Sequence, residues 1–334
     1  MSSNLIEVKN LKKYFQTPRG NVHAVDDVSM VLKQGETMGV VGESGCGKST
    51  LGRTLIRLLD STDGSILFDG EDITHISGKK NLRQLREKAQ IIFQDPYSSL
   101  NPRMTVEQTL KEPLILTKRY TKVEINERVE DLMQLIGIDN RVRMSYPHEL
   151  DGGRRQRVGI GRALALGPKF IVCDEPVSAL DVSIQAQILN LLMDLQDKQG
   201  LTYMFITHDM SVVRHISTNI SVMYLGQLVE TSPTKALFEE PLHPYTQALL
   251  SAIPTTDLGG QPKRIMLEGE LTSPIDPKPG CRFRRRCPYA TQACKEPQQL
   301  RELMPGHFVS CCRAGELEHR HGKHHGSHKH HSTA

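Results

Sequence analysis

At 334 residues the chain is longer than one ordinary domain. Its Lys and Arg exceed Asp and Glu by only 4, too mild a balance to argue for nucleic acid by itself. No apolar run approaches the ~18 residues that span a bilayer, and Met1-Ser2-Ser3-Asn4-Leu5-Ile6-Glu7 is not a secretory signal, so a cytosolic protein is expected, reaching any membrane through a partner.

Residues 6–15, 24–32 and 65–69 alternate or are rich in β-formers, with Asp63-Gly64 and Asp69-Gly70 as turns, which predicts antiparallel strands. Thr37-Met38-Gly39-Val40-Val41 reads as a buried strand, and leucines at 51, 55, 58 and 59 give the next segment helical spacing. Between them lies Gly42-Glu43-Ser44-Gly45-Cys46-Gly47-Lys48-Ser49, followed by Thr50, of the G-x-x-x-x-G-K-[ST] type. Its glycines let main-chain N–H groups turn toward phosphate oxygens, helped by the positive end of the helix that follows. Lys48 then reaches the β- and γ-phosphates and the Ser49 hydroxyl can sit on Mg²⁺. A glycine-rich turn with a stray lysine is the ordinary alternative, and the flanking strand and helix argue against it.

From residue 96 to about 146 the pattern becomes helical, clearest at 124–137. A glycine pair in a basic segment follows, Leu150-Asp151-Gly152-Gly153-Arg154-Arg155-Gln156-Arg157. The apolar run Phe170-Ile171-Val172-Cys173 then ends in Asp174 and Glu175, at the carboxyl end of a core strand, where open α/β sheets bind ligands. Asp174 is placed to hold Mg²⁺ and Glu175 to polarise the attacking water. The run at 202–207 predicts another strand on the same edge, so His208 could bond the γ-phosphate. A lone histidine is more often structural, and a single carboxylate at a strand end is often merely solvated. The position of these groups on one edge favours a site.

With these motifs in order, the chain resembles the ATP-binding subunits of ABC transporters over nearly its whole length. The resemblance implies a P-loop α/β core with an antiparallel β subdomain and a helical subdomain at about 96–161, within a nucleotide-binding domain at 1–240. It makes 42–50 the Walker A loop, 170–175 Walker B with Glu175 as catalytic glutamate, and His208 the switch histidine. Gln94, in Ile91-Ile92-Phe93-Gln94-Asp95-Pro96, matches the glutamine that ligates Mg²⁺ and senses the transmembrane partner. Asp151, Gly152 and Gly153 stand in the signature loop, and Asp181 in Ser178-Ala179-Leu180-Asp181 matches the D-loop. Tyr14 matches the aromatic that stacks on adenine, with Phe15 a weaker candidate; a core aromatic is the plain alternative for both.

After about residue 240, His243-Pro244-Tyr245-Thr246-Gln247-Ala248-Leu249-Leu250 looks like the motif opening the C-terminal extension of oligopeptide and dipeptide importer ATPases. The chain looks most like the second of the two paired ATPases of dipeptide importers. That implies ATP-driven peptide uptake with a second homologous ATPase, two transmembrane permeases and an extracytoplasmic peptide-binding protein, the chain lying peripherally on the cytoplasmic face of the inner membrane. Nickel, glutathione and other small-solute importers use close relatives. A soluble ABC ATPase acting on nucleic acid is the rival class, but it usually fuses two cassettes or inserts coiled-coil arms.

Of the 7 cysteines, Cys281, Cys287, Cys294, Cys311 and Cys312 fall late in the chain. In a reducing cytosol such clustering points to metal rather than disulfides, and the spacing alone leaves iron–sulfur, zinc and free thiols level. The resemblance implies a [4Fe–4S] cluster on Cys281, Cys287, Cys294 and Cys311, with Cys312 the rival for the fourth place, in a small cysteine-rich extension at 241–318. Arg282, Arg284, Arg285 and Arg286 could offset the thiolate charge, or form a solvated basic loop. The His-rich tail at 319–334 is too polar to fold alone.

The signature loop normally reads Leu-Ser-Gly-Gly-Gln, whereas here Asp151 replaces the serine and Arg154 the glutamine. Each signature loop completes the ATP site of the opposite subunit. Two like charges at ~4 Å and an effective dielectric near 20 repel by about 4 kcal/mol, less whatever Mg²⁺ and Arg154 offset. A heterodimer with one active and one degenerate site is therefore expected.

Overall fold

The computed structural model describes residues 3–253, 264–267, 269 and 273–316. The His-rich tail lies outside the described residues. β1 (Asn4–Thr17) and β2 (Gly20–Lys33) form a long antiparallel hairpin. β3 (Thr37–Val41) is buried along its whole length and runs through the phosphate loop into α1 (Lys48–Leu55). β4 (Asp63–Phe68) and β5 (Glu71–Asp72) complete a four-stranded sheet in the order β2-β1-β4-β5, at the positions that alternation predicts.

α2 (Lys79–Lys88) leads into β6 (Ala89–Ile92), and α3 (Pro96–Ser99) opens a helical unit with α4 (Val106–Thr117), α5 (Lys122–Leu135) and α6 (Gly152–Leu164). Thr105 and Thr121 start α4 and α5 with capping boxes, each hydroxyl accepting from the amide three residues on. The chain then alternates β7 (Phe170–Asp174), α7 (Val182–Gln199), β8 (Thr202–Thr207), α8 (Met210–Ile216) and β9 (Asn219–Tyr224). β10 (Gln227–Pro233), α9 (Thr234–Glu239), α10 (Pro244–Ser251), β11 (Arg301–Met304) and β12 (His307–Val309) follow.

The main sheet has eight strands in the order β11-β12-β10-β9-β3-β8-β7-β6. Its centre is parallel, β9, β3, β8, β7 and β6 running together, and both faces are covered. Such strands read as unbroken apolar runs because neither face meets water. Alternation survives only in which core a residue joins. Ile171, Cys173, Tyr203 and Phe205 pack toward the helical unit, and Phe170, Val172, Met204 and Ile206 toward the antiparallel sheet. Parallel register brings the carboxyl ends of β3, β8 and β7 to one edge, which is where the candidate groups emerge. Among the described residues no helix is long and apolar enough to cross a membrane.

The segment expected as a small cysteine-rich extension is joined to the main sheet. β12 pairs antiparallel with β10 and β11 with β12, so the last described segment continues the main sheet instead of standing apart. The join is held by Glu230, fully buried on β10, which accepts from Leu242 N (2.7 Å), His243 N (2.9 Å) and His307 Nε2 (2.7 Å). Several donors are what a buried carboxylate requires.

Candidate active site

The phosphate loop folds as it does because two of its glycines leave no room for a side chain. Gly42 (φ 154°) and Gly47 (φ 106°) lie in left-handed backbone, and a Cβ would come within 2.1 Å of the Met223 carbonyl oxygen and 1.9 Å of the Ala24 carbonyl oxygen, respectively. Lys48 opens α1, and its ammonium donates to the carbonyls of Gly42 (2.8 Å) and Glu43 (3.1 Å). Ser49 Oγ donates to Asp174 Oδ1 at 2.6 Å, and Arg53 lies 3.3 Å from the other oxygen of that buried carboxylate. The loop after β3 and the end of β7 thus meet directly.

Glu175 has a left-handed backbone (φ 48°), a conformation that costs energy in a residue with a side chain and recurs at functional sites. Its N–H is held by the Ile206 carbonyl of β8 at 2.9 Å. One carboxylate oxygen accepts from Gln94 Nε2 at 2.9 Å, and the other lies 3.5 Å from His208 Nδ1. Gln94, Glu175 and His208 share a cleft of about 700 Å³ with residues 44–50 of the phosphate loop.

The cleft is also lined by Phe15, His23, Leu225 and Pro274. Tyr14 is not among the lining residues. Its ring stacks on His23 at 3.9 Å between centroids and its hydroxyl bonds the Asp26 carboxylate, burial and that carboxylate raising the hydroxyl well above the usual tyrosine range. Sequence reasoning missed His23, Leu225 and Pro274, for which it carries no motif.

Asp151, Gly152, Gly153 and Asp181 lie outside the cleft wall. Asp151 is the N-cap of α6, its carboxylate accepting from Arg154 N at 2.7 Å and lying 3.4 Å from Arg154 Nε. Gly153 is packed against Ile184, 2.8 Å from where its Cβ would be, and Asp181 stands at the N-cap of α7.

The iron–sulfur expectation is overturned. Among the described residues no group of three or more His, Cys, Asp or Glu is arranged to hold a metal ion. Burial pushes the Cys281 thiol up to about 12 and the Cys287 thiol up to about 11, whereas at Cys294 burial is outweighed by hydrogen bonds from Thr291 and the thiol is lowered. Cys294 lies 3.7 Å from Cys312 Sγ, the residue left out of the expected set, and Cys311 is likewise a partly buried free thiol. Two arginines expected to offset thiolate charge are committed elsewhere, Arg282 to Asp26 and Arg286 to Glu43.

Residues 25–178 match the family model "ABC transporter", and residues 229–294 match "Oligopeptide/dipeptide transporter, C-terminal region". The oligopeptide transport ATP-binding protein AppF of Bacillus subtilis is 52% identical over 92% of this chain and 96% of its own length. The chain belongs to the ABC transporter ATP-binding proteins. OppF of the same organism, also named an oligopeptide transport ATP-binding protein, is 50% identical over 94% of this chain and 98% of its own. The solved dimer of the ATP-binding cassette MJ0796 bound to ADP and Pi superposes with a TM-score of 0.63 at 28% identity, covering 69% of this chain and 98% of that one. The cbiO1 protein of Clostridium perfringens, described as part of the ABC transporter complex cbiONQ, gives 0.64 at 30% identity over 71% and 91%. These relatives are named as ATP-binding transport proteins, an ATP-binding cassette and part of an ABC transporter complex. This ABC ATPase thus has its P-loop fold and its family from independent observations.

Proposed function

We propose that the chain is the ATP-hydrolysing subunit of a peptide importer. The observation that carries the reading is the convergence of Lys48, Ser49, Gln94, Asp174, Glu175 and His208 at one sheet edge, in a chain whose C-terminal region matches oligopeptide and dipeptide transporters. Residues 42–50 wrap the phosphates with main-chain N–H groups, and Lys48 exchanges its carbonyl partners for phosphate oxygens. Ser49, Asp174 and Gln94 offer hard oxygen donors that suit Mg²⁺, Ser49 and Asp174 already facing each other at 2.6 Å. When bound, Mg²⁺ neutralises charge that develops on the transferring phosphoryl group. Glu175 orients and polarises the attacking water, its carboxylate aimed by Gln94 and by its fixed backbone. His208 steadies the γ-phosphate from beside it. The base is placed against Phe15 and His23, which line the cleft.

The working assembly on this reading is a heterodimer with a second homologous ATPase, seated peripherally on two permeases at the cytoplasmic face and fed by an extracytoplasmic peptide-binding protein. Asp151, Gly152, Gly153 and Asp181 belong to the surface that meets the second ATPase. The names of AppF and OppF support peptide as the cargo class. The test is affinity purification of the full chain from membranes. Two integral permeases and a second ATPase should come with it, and ATPase of that assembly should rise when peptide-loaded binding protein is added. Recovery with nucleic acid and no membrane protein would contradict the reading.

A further inference from the structure

Every polar group of Glu43, the second residue of the phosphate loop, is engaged. Its N–H donates to the Tyr245 hydroxyl at 2.9 Å. Its carboxylate takes both terminal nitrogens of Arg286, at 2.8 and 3.0 Å, the forked geometry in which a guanidinium grips a carboxylate most firmly. Its carbonyl accepts the Lys48 ammonium at 3.1 Å. The group that steadies Lys48 is therefore held from behind by residues 202 and 243 positions further along the chain.

Neither supporting side chain is free to drift. Tyr245 is fully buried, edge-on to Tyr224 with centroids 4.8 Å apart, and against Phe283 at 5.4 Å. Arg286 also lies 3.4 Å from the Tyr224 hydroxyl. The other half of the loop is supported in the same way. Gly226 N donates to the Cys46 carbonyl at 2.8 Å, and the neighbouring Leu225 carbonyl accepts from Arg282. Tyr245 and Arg286 do not line the cleft, so they reach a nucleotide only through the loop.

We propose that Tyr245 and Arg286 are positioning residues for ATP binding, setting the phosphate loop through Glu43 so that the C-terminal region governs nucleotide affinity without touching the nucleotide. The proposal rests on the ATPase reading above, and its test separates the two. The full-length chain is titrated with a fluorescent ATP analogue and Mg²⁺, and its melting temperature is followed in parallel. Absence of binding by the wild type overturns the ATPase reading and this proposal with it. Given wild-type binding, Arg286→Met is expected to weaken it about tenfold, the scale of a lost charge-assisted pair, with Arg286→Lys recovering part of the loss. Tyr245→Phe, which removes one hydroxyl, should weaken it severalfold. Glu43→Gln combined with Arg286→Met should bind no more weakly than the worse single variant, because both act through one pair. Wild-type affinity in Arg286→Met, or fully additive losses in the double variant, overturns the proposal. Should Arg286→Met fail to fold, Arg286→Lys and Tyr245→Phe carry the test, and wild-type affinity in both overturns it.

Discussion

Gln94 Nε2 donates to Glu175 Oε2 at 2.9 Å, joining the segment after β6 to the end of β7 across the cleft. The bond aims a carboxylate whose backbone is already fixed in a left-handed conformation by the Ile206 carbonyl. A group held twice in this way suits a task in which direction matters as much as charge.

Glu175→Gln keeps the shape and removes the charge that polarises water. Nucleotide affinity is expected to stay within a fewfold of wild type, while turnover of the assembled transporter falls by roughly 10²–10⁴, the range for loss of a general base. Lys48→Ala should lose binding itself. Equilibrium binding and steady-state phosphate release on the same preparations separate the two outcomes.

The Asp151 prediction divides a local effect from one between subunits. As the cap of α6 it accepts from Arg154 N, so Asp151→Ala should cost about 1 kcal/mol in denaturant unfolding whereas Asp151→Ser should retain most of that stability. If its carboxylate also weakens the second ATPase's site, ATP hydrolysis in the heterodimer is asymmetric. Glu175→Gln should then remove most of the activity and the matching change in the partner much less. Equal losses in a phosphate-release assay count against asymmetry.

Much of this site is legible in the sequence because its chemistry is contiguous: residues 42–50 follow one strand, and Asp174, Glu175 and His208 end two others. What was not legible depends on register or on distance along the chain. Tyr14 and His23 face each other across β1 and β2 in a hairpin with register shifts around Leu11, Lys13 and Tyr14. Such bulges re-aim side chains without disturbing the alternation that identifies a strand, and the cleft is lined by Phe15, the weaker of the two aromatics the motif offered, and by His23. The Arg282–Leu225 and Arg286–Glu43 contacts span 57 and 243 residues, and an arginine-rich loop read alone gives no sign of either. The five late cysteines do line one cavity, but among the described residues they are not arranged to hold a metal ion.

His243 gives the fold a pH dependence. Its Nδ1 accepts from Tyr245 N at 3.1 Å, so the ring must stay neutral to cap α10, and burial lowers its pKa to about 4 despite the opposing influence of Glu230. An unfolded chain takes up this proton near pH 6.5 and the folded chain does not until about pH 4. In that window the unfolded state binds more protons, so stability is lost as pH falls from 6.5 toward 4. The loss from this group should be roughly 2 kcal/mol at pH 5. His243→Asn keeps a cap acceptor without titrating. Urea unfolding at pH 7 and pH 5 should show the smaller pH difference in that variant.

ATP-driven uptake of a labelled short peptide into proteoliposomes bears on the central claim most directly. The vesicles carry this chain with its co-purifying ATPase and permeases, and the binding protein is supplied on the side opposite the ATPases. Accumulation that requires hydrolysable ATP and is abolished by Glu175→Gln is the predicted result. ATP hydrolysis by an intact assembly that concentrates no peptide, or uptake that persists undiminished in Glu175→Gln, would contradict it.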